Sequence, residues 1–400
     1  YVFPCDIEWA REKGKFYIVQ SRPITTLTPQ EPPSEEVKKK DSLGKRFLEE
    51  LGNEKIMLFE SDFIPLIILV DWFNYYDENG KRTNIYPALA YKSGPSMKGL
   101  ISLEKYQRSS KMTFEGHLDG KIKISKVNKK YNEIKSEINK EYEKYFLKKE
   151  RSEKLIFQDL TKIYNLLNEL VAYTLFLDTL DKDLIVNILA EKKLKIEWRK
   201  IEDVANIAEF LSFDVRNNEE ILKSLKKGLS INSLQHVYTN YTHIPSEEEV
   251  REKIKNIDIK RLSAEMQEHK LQLQERKSKK AKAKDKLSKE ESKIADFLDW
   301  SNFLRDDRKT LINKCDALIV NLVQNLYSFW GIDKELAYNS FMFEILKGKE
   351  YVMSRLDKIK KREENYECLY YGDNRWEESY EDFHKDLELI NKRLLDENKD

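Results

Sequence analysis

The sequence predicts a mainly α-helical protein: a helical bundle with a small β-hairpin at its N-terminus and a second short hairpin near residues 111–127. Three features support this fold class. Apolar residues recur every three or four positions after residue 127, two alternating runs lie within the first 26 positions, and an Asp-Gly pair at 119–120 separates two short runs. The 400 residues suffice for two or three domains, and a hydrophobic content of 40% argues against global disorder.

The N-terminal hairpin carries acidic residues on its first strand and Gln20 and Arg22 on its second. Because side chains alternate along a strand, Asp6 and Glu8 share one side of the first strand, and Gln20 and Arg22 share one side of the second. We expect a five-residue loop between the strands and a register that brings all four residues to one face. In that register Asp6 lies opposite Gln20, and Glu8 lies opposite Ile18.

Such a face suits a magnesium-bound nucleotide. A carboxylate supplies the hard oxygen that Mg²⁺ prefers, and the guanidinium group of Arg22 matches phosphate oxygens. Gln20 could orient a phosphate or the water shell of the metal. The alternative interpretation is a solvated hairpin face with an arginine–carboxylate pair, because surface ion pairs are common.

The string DIEWAREKGKFYIVQSRPITTL resembles the C-terminal end of the ATP-grasp nucleotide-binding domain in the phosphoenolpyruvate synthase and pyruvate phosphate dikinase family, which includes rifampin phosphotransferase. That family has an acidic-Ile-Glu strand, a turn, and an aliphatic strand ending in Gln-x-Arg-Pro. Twelve positions separate Glu8 from Gln20, as in the family. The resemblance implies that Glu8 binds the metal, Gln20 contacts the nucleotide and Arg22 contacts its phosphates, with ATP and Mg²⁺ as cofactors.

The resemblance covers only residues 1–27, which we expect to end an ATP-grasp domain. A proline-rich linker at 28–34, a mixed α/β connecting region at 35–127 and a helical central domain at 128–400 would follow. We expect the chain to be an internal piece of a longer protein, because it lacks the rest of an ATP-grasp fold and a phosphohistidine motif. An upstream nucleotide domain and a downstream phosphohistidine domain are therefore the expected partners.

Apolar spacing and capping signals place the helices. Ser246 and Glu249 have the spacing of a capping box, which would open a very polar helix running toward Lys289. Its basic stretch favours a solvated or coiled-coil arm over a nucleic-acid site, because it lacks interleaved aromatics. The other expected helices are Glu35–Leu51, Tyr131–Lys148, Ser152–Leu180, Leu184–Leu211 and Ile294–Trp330.

Several other residues are considered as ligand contacts. Arg305 and Arg308 belong to an Arg-Asp-x-Arg element that also resembles the late central region of phosphoenolpyruvate-synthase-like proteins, so they are candidates for binding a substrate carboxylate or phosphate. The alternative is that they form salt bridges with Asp306, Asp307 or neighbouring helices. The aromatic cluster at 72–76 could line a cleft or simply form core. None of the five isolated histidines is a candidate catalyst.

Composition limits the partners. With 72 basic and 71 acidic residues, no whole-chain field favours a nucleic acid or a membrane, and no apolar run spans a bilayer. Three cysteines are too few for a disulfide framework or a zinc site, which favours a cytoplasmic setting.

Two classes of function follow. In the first, the chain is the central fragment of an ATP-dependent phosphotransferase resembling phosphoenolpyruvate synthase. It would complete the Mg²⁺·ATP site and position an acceptor such as pyruvate for phosphate transfer through a histidine domain, and it would be inactive alone. In the second, it is a non-catalytic helical interaction scaffold.

Overall fold

The computed structural model describes residues 5–12, 15–23, 42–62, 74–76, 82–85, 87–93, 96–147, 151–227, 231–239, 243–365, 368–372, 375–379 and 384–397. Tyr1–Ser42 and Leu43–Asp400 form two separate compact units. The first holds an antiparallel hairpin of β1 (Cys5–Glu12) and β2 (Lys15–Pro23). The second is mostly helical, so the prediction of a mainly α-helical fold is confirmed.

A five-stranded antiparallel sheet lies in the second unit, in the order β3-β7-β6-β8-β9. A separate short pair consists of β4 and β5. The sheet joins distant parts of the chain, because Ala88 of β6 pairs with Ile101 of β7 on one side and with Tyr371 of β8 on the other. The strands are β3 (Ile56–Asp62), β4 (Asn74–Tyr76), β5 (Arg82–Asn84), β6 (Ala88–Ser93), β7 (Ser96–Ser102), β8 (Cys368–Gly372) and β9 (Arg375–Ser379).

Several helices of the second unit pack around one long helix, and short 3₁₀ segments occur between helices, one of them at Leu175–Leu177. The α-helices in the described part of the chain are α1 (Leu43–Leu51), α2 (Leu103–Leu118), α3 (Ile124–Leu147), α4 (Glu153–Thr174), α5 (Lys182–Glu191), α6 (Trp198–Ala205), α7 (Phe213–Lys227), α8 (Gln235–Tyr238), α9 (Glu247–Lys255), α10 (Ile259–Lys284), α11 (Lys289–Trp330), α12 (Met342–Leu346), α13 (Lys349–Ser354), α14 (Leu356–Asn365) and α15 (His384–Glu397).

The central helix is α11, which has 42 residues and packs against α3, α4, α6 and α8. It begins at a capping box, in which Ser288 accepts from the Glu291 backbone N–H and the Glu291 carboxylate accepts from the Ser288 N–H. It ends at Gly331, whose φ of 72° is the left-handed conformation that glycine adopts without strain. Its buried positions recur on several faces, as expected for a helix enclosed by neighbours.

The second predicted hairpin is wrong, because residues 111–118 belong to α2 and residues 124–127 begin α3. The side chain of Ser102 caps α2 by accepting from the Lys105 N–H, and buried side chains recur every three or four positions along the helix. Asp119 caps the end of α2, and Gly120 follows with a φ of 73°. The Asp-Gly pair therefore ends a helix here rather than turning a hairpin.

Two long predicted helices are each divided. The predicted Leu184–Leu211 helix breaks after α5, near Lys193, which has a φ of 56°. The polar helix begins at the predicted capping box of Ser246 and Glu249, and that capping prediction is confirmed. It then breaks before α10, because the side chain of Asp258 accepts from two backbone N–H groups and starts a new helix. In the part of the chain that the structure describes, no helix is long and apolar enough to cross a bilayer.

Candidate functional site

The N-terminal hairpin brings four polar positions into two cross-strand pairs, with the pair of Ile7 and Ser21 between them. Glu8 lies opposite Gln20, and Asp6 lies opposite Arg22. The expected register is therefore wrong, since it placed Glu8 opposite Ile18 and Asp6 opposite Gln20. The four positions remain adjacent, because directly opposed residues in an antiparallel pair have Cβ atoms about 4.5–5.5 Å apart.

Two features of the hairpin make its register differ from the one expected from the sequence. The pairing continues to Glu12 and Lys15, so only residues 13–14 connect the strands, in place of the expected five-residue loop. The register also shifts between Glu8 and Trp9, where the partner moves from Gln20 to Ile18, which leaves one extra residue in β2. Such a β-bulge re-aims the residues beside it.

The chemistry of these four residues fits a magnesium-bound polyphosphate. Two carboxylates, from Asp6 and Glu8, offer oxygen ligands to Mg²⁺, and Gln20 and Arg22 supply hydrogen-bond donors for phosphate oxygens. The backbone positions of these residues form two cross-strand pairs, which are separated by the pair of Ile7 and Ser21.

Arg305 and Arg308 lie one turn apart on α11 and contact the C-terminal end of α4 and the 3₁₀ segment that follows it. The Arg305 Nε donates to the Leu177 carbonyl oxygen at 2.9 Å, and the Arg308 guanidinium donates to the Thr174 carbonyl oxygen at 3.0 Å. Arg308 also forms an ion pair with Asp178. Both arginines therefore satisfy carbonyl groups at a helix end, where cations are favourable. A role in substrate binding stays a prediction, and it would require them to leave these carbonyls.

Asp306 and Asp307, the expected partners of the arginines, instead bind groups from other helices. Arg216 of α7 lies 3.0 Å from Asp306, and Lys135 of α3 lies 2.6 Å from Asp307. The Tyr131 hydroxyl donates to Asp307 at 2.8 Å, and its pKa is raised by burial and by that carboxylate. These contacts tie α3 and α7 to α11.

Three described histidines make structural contacts. His236 is buried, with Nε2 2.6 Å from a Glu220 carboxylate oxygen, and burial lowers the pKa of its ring. His117 stacks on Phe297 with ring centroids 4.8 Å apart, and His243 pairs with the capping residue Glu249. Among the side chains that the structure describes, which exclude those of the hairpin, no three His, Cys, Asp or Glu residues form a metal-binding group.

A groove of about 880 Å³ opens between the C-terminal half of α2, the first turns of α3 and the end of α4. Tyr76, from the aromatic cluster noted in the sequence, lines it and packs edge-on against Tyr173 with ring centroids 5.4 Å apart. Trp72 and Phe73 lie outside the described residues. The sequence does not predict this groove, because the groove is built around the connection between α2 and α3, where a hairpin is expected from the sequence.

Two curated proteins share short segments with this chain. A probable phosphoenolpyruvate synthase from Archaeoglobus fulgidus is 50% identical over 52 residues, which is 13% of this chain and 7% of the relative. A probable phosphoenolpyruvate synthase from Methanocaldococcus jannaschii is 70% identical over 27 residues, 7% of this chain and 2% of the relative. The similarity is thus local. No family model and no solved structure matches the chain.

Proposed function

We propose that this chain is part of an ATP-dependent phosphotransferase related to phosphoenolpyruvate synthase, in which the N-terminal hairpin completes a Mg²⁺·ATP site. Glu8 would bind the metal, Gln20 the nucleotide and Arg22 its phosphates. The single observation that carries the proposal is the hairpin register, because Glu8 pairs with Gln20, and Asp6 pairs with Arg22 two positions further along the hairpin.

Two independent features support the assignment. The donor set suits a metal-bound polyphosphate, as carboxylates bind Mg²⁺ and arginine binds phosphate. Short segments of the chain are also 50% and 70% identical to probable phosphoenolpyruvate synthases. An upstream nucleotide domain would supply the remaining ATP contacts, and a downstream phosphohistidine domain would carry the phosphate to a small acceptor such as pyruvate.

The metal role of Glu8 is tested by titrating ATP into the intact protein that contains this chain and the upstream nucleotide domain, with and without Mg²⁺. Mg²⁺ neutralises phosphate charge, so it should strengthen ATP binding by the unmodified protein. In Glu8→Gln the metal loses a charged ligand, and the Mg²⁺-dependent gain should shrink by about tenfold or more. An equal Mg²⁺ effect in both proteins would contradict the proposal.

A further inference from the structure

The groove between α2, α3 and α4 is lined by more cationic than anionic side chains. Its three acidic side chains are Glu115, Asp119 and Glu169. Its six basic side chains are Arg108, Lys111, Lys121, Lys123, Lys126 and Lys130. Such an excess on concave walls raises the local concentration of anions.

Most of the negative charge in the groove is already paired. Glu169 binds Lys130 at 2.7 Å, and Asp119 binds Lys192, which lies outside this groove, also at 2.7 Å. Glu115 is the acidic side chain left to offset the remaining cations.

Three of the cations have no such neutralising contact. Arg108, Lys123 and Lys126 are exposed, and their side chains make no hydrogen bond or ion pair with any residue that the structure describes. Lys111, by contrast, pairs with Glu191 at 3.0 Å. The unneutralised charge is therefore concentrated at the turn between α2 and α3 and on the facing side of α2.

The direction of α3 adds to this positive potential. A helix N-terminus carries partial positive charge, which acidic residues in the first turn usually offset. The first turn of α3 contains none, and Lys126 lies at its third position. Lysine there is electrostatically unfavourable without a counter-charge, so an anion bound in the groove would be stabilised by both the helix and the lysines.

The floor of the groove is apolar and partly aromatic. Tyr173 is fixed against Tyr76, and the rest of the floor consists of Met112, Ile122, Val127, Ala172 and Phe176. The volume of about 880 Å³ falls within the range of small-molecule sites, which are mostly apolar with a few polar groups that orient the ligand.

We propose that this groove binds a small organic phosphate with an aromatic or apolar body: the body lies on the floor beside Tyr173, and the phosphate meets Lys123 and Lys126 at the rim. Lysine binds phosphate as a point charge. The site belongs to the second unit and does not depend on the nucleotide proposal for the hairpin.

The test is calorimetric titration of the chain with 1-naphthyl phosphate, 1-naphthol and inorganic phosphate as probes. The proposed site contacts both the apolar body of the ligand and its phosphate. 1-Naphthyl phosphate should therefore bind at one site per chain, and at least about tenfold more tightly than 1-naphthol or inorganic phosphate. Equal binding of 1-naphthyl phosphate and 1-naphthol would overturn the proposal, as would an absence of 1-naphthyl phosphate binding.

A matched pair of variants locates the site. Lys126→Gln removes an exposed charge from the rim and should weaken 1-naphthyl phosphate binding about three- to tenfold. Lys129→Gln removes an exposed lysine from the same helix, outside the groove, and should leave the affinity unchanged. Equal losses in both variants would show that only the general charge of α3 matters, and would also overturn the proposal.

Discussion

Arg362 and Glu344 form an ion pair in the interior of the second unit, where both side chains are 0% exposed. The two guanidinium nitrogens donate to the two carboxylate oxygens at 2.6 and 2.9 Å. Glu344 also accepts from Arg355 at 2.8 Å and from the Phe341 backbone N–H at 3.1 Å. The pair is bidentate, and its carboxylate is fully hydrogen-bonded. Removing one member should therefore lower the free energy of unfolding far more than removing one member of a surface ion pair.

We expect Arg362→Met to lower the free energy of unfolding by about 3–5 kcal/mol, since it leaves the Glu344 charge buried with fewer partners. Urea denaturation measures this change. Replacing both residues, in Arg362→Met with Glu344→Met, should recover much of the loss, because no buried charge remains. A loss within 1 kcal/mol in the single variant, comparable to a surface pair, would contradict this account.

Asp316 is a buried carboxyl group on the central helix. It is 0% exposed, and neither of its oxygens accepts a hydrogen bond from a residue that the structure describes. Burial raises its pKa well above the ordinary value of 3.8, so the folded protein holds this group protonated at pH values where the unfolded chain ionises it. Its stabilising contribution is therefore present below pH 3.8 and is lost as the pH rises toward the folded-state pKa.

Asp316→Asn should remove that pH dependence. The difference in unfolding free energy between the variant and the unmodified protein should grow with pH above about 4, by up to about 1.4 kcal/mol per pH unit. Urea denaturation at pH 4.5, 6.0 and 7.5 measures this difference, in which the other titrating groups cancel. A difference that stays constant over this range would show that Asp316 ionises normally.

At the scale of elements, capping determines where helices begin. Ser288 and Glu291 fix the start of α11, and the Glu291 carboxylate also accepts from the Glu197 backbone N–H at 3.0 Å, which joins α11 to the start of α6. These hydrogen bonds hold the pKa of Glu291 below its usual range. The capping box therefore starts α11, the longest described helix, and also positions the start of α6.

We expect Ser288→Ala to lower the free energy of unfolding by about 1 kcal/mol, because the Glu291 N–H loses its acceptor. Ser278→Ala is the matched control. Ser278 is exposed in the interior of α10, where alanine is the better helix former, so that change should be neutral or slightly stabilising. Thermal or urea unfolding compares the two, and equal effects would argue against the capping role.

Local signals predicted some elements well and others poorly. The predicted capping box at Ser246 is confirmed, because its residues contact one another within one turn and a local pattern encodes them. The hairpin predicted at Asp119-Gly120 is wrong, because the same pair suits a hairpin turn or a helix end, and only the packing of the flanking residues selects between them. The strands β8 and β9 were missed, although residues 372–374 read Gly-Asp-Asn, a turn signal between two aromatic runs.

At the scale of the whole second unit, its two ends pack together. Phe47 of α1 and Ile390 of α15 share a core with Leu89 and Leu100 of the sheet. The Gly44 backbone N–H donates to the Asp386 carboxylate at 3.0 Å. A Cβ at position 44 would lie 2.5 Å from the Asp386 Cβ, so only glycine fits this close approach of α1 and α15.

For Gly44→Ala, helix propensity and packing therefore predict opposite effects on stability. Alanine favours a helix by about 1 kcal/mol over glycine, yet overpacking against Asp386 should cost about 1–3 kcal/mol, which outweighs that gain over most of the range. We expect net destabilisation in urea unfolding. Glu50→Ala, at an exposed position of α1, should change stability by less than about 0.5 kcal/mol. Stabilisation by Gly44→Ala would contradict the close packing of the two ends.

Long-range pairing explains the remaining limits of sequence analysis. Ala88 and Tyr371 are neighbours in the sheet although 283 positions separate them, and no local pattern encodes that contact. For the candidate site, the roles of Glu8, Gln20 and Arg22 stay a prediction, which rests on residue types and on a resemblance to a known family. The register of the hairpin could not be predicted, because it depends on a bulge and on pairing that continues to Glu12 and Lys15, and alternation alone reveals neither.

The central claim is that the hairpin binds Mg²⁺·ATP, and one calorimetric comparison tests it most directly. Mg²⁺·ATP is titrated into the intact protein and into its Arg22→Gln and Ser21→Ala variants, since Ser21 is the intervening residue, paired with Ile7. Loss of a charge-assisted phosphate contact should weaken binding about tenfold or more in Arg22→Gln, whereas Ser21→Ala should bind like the unmodified protein. Unchanged affinity in Arg22→Gln, or equal losses in both variants, would contradict the account.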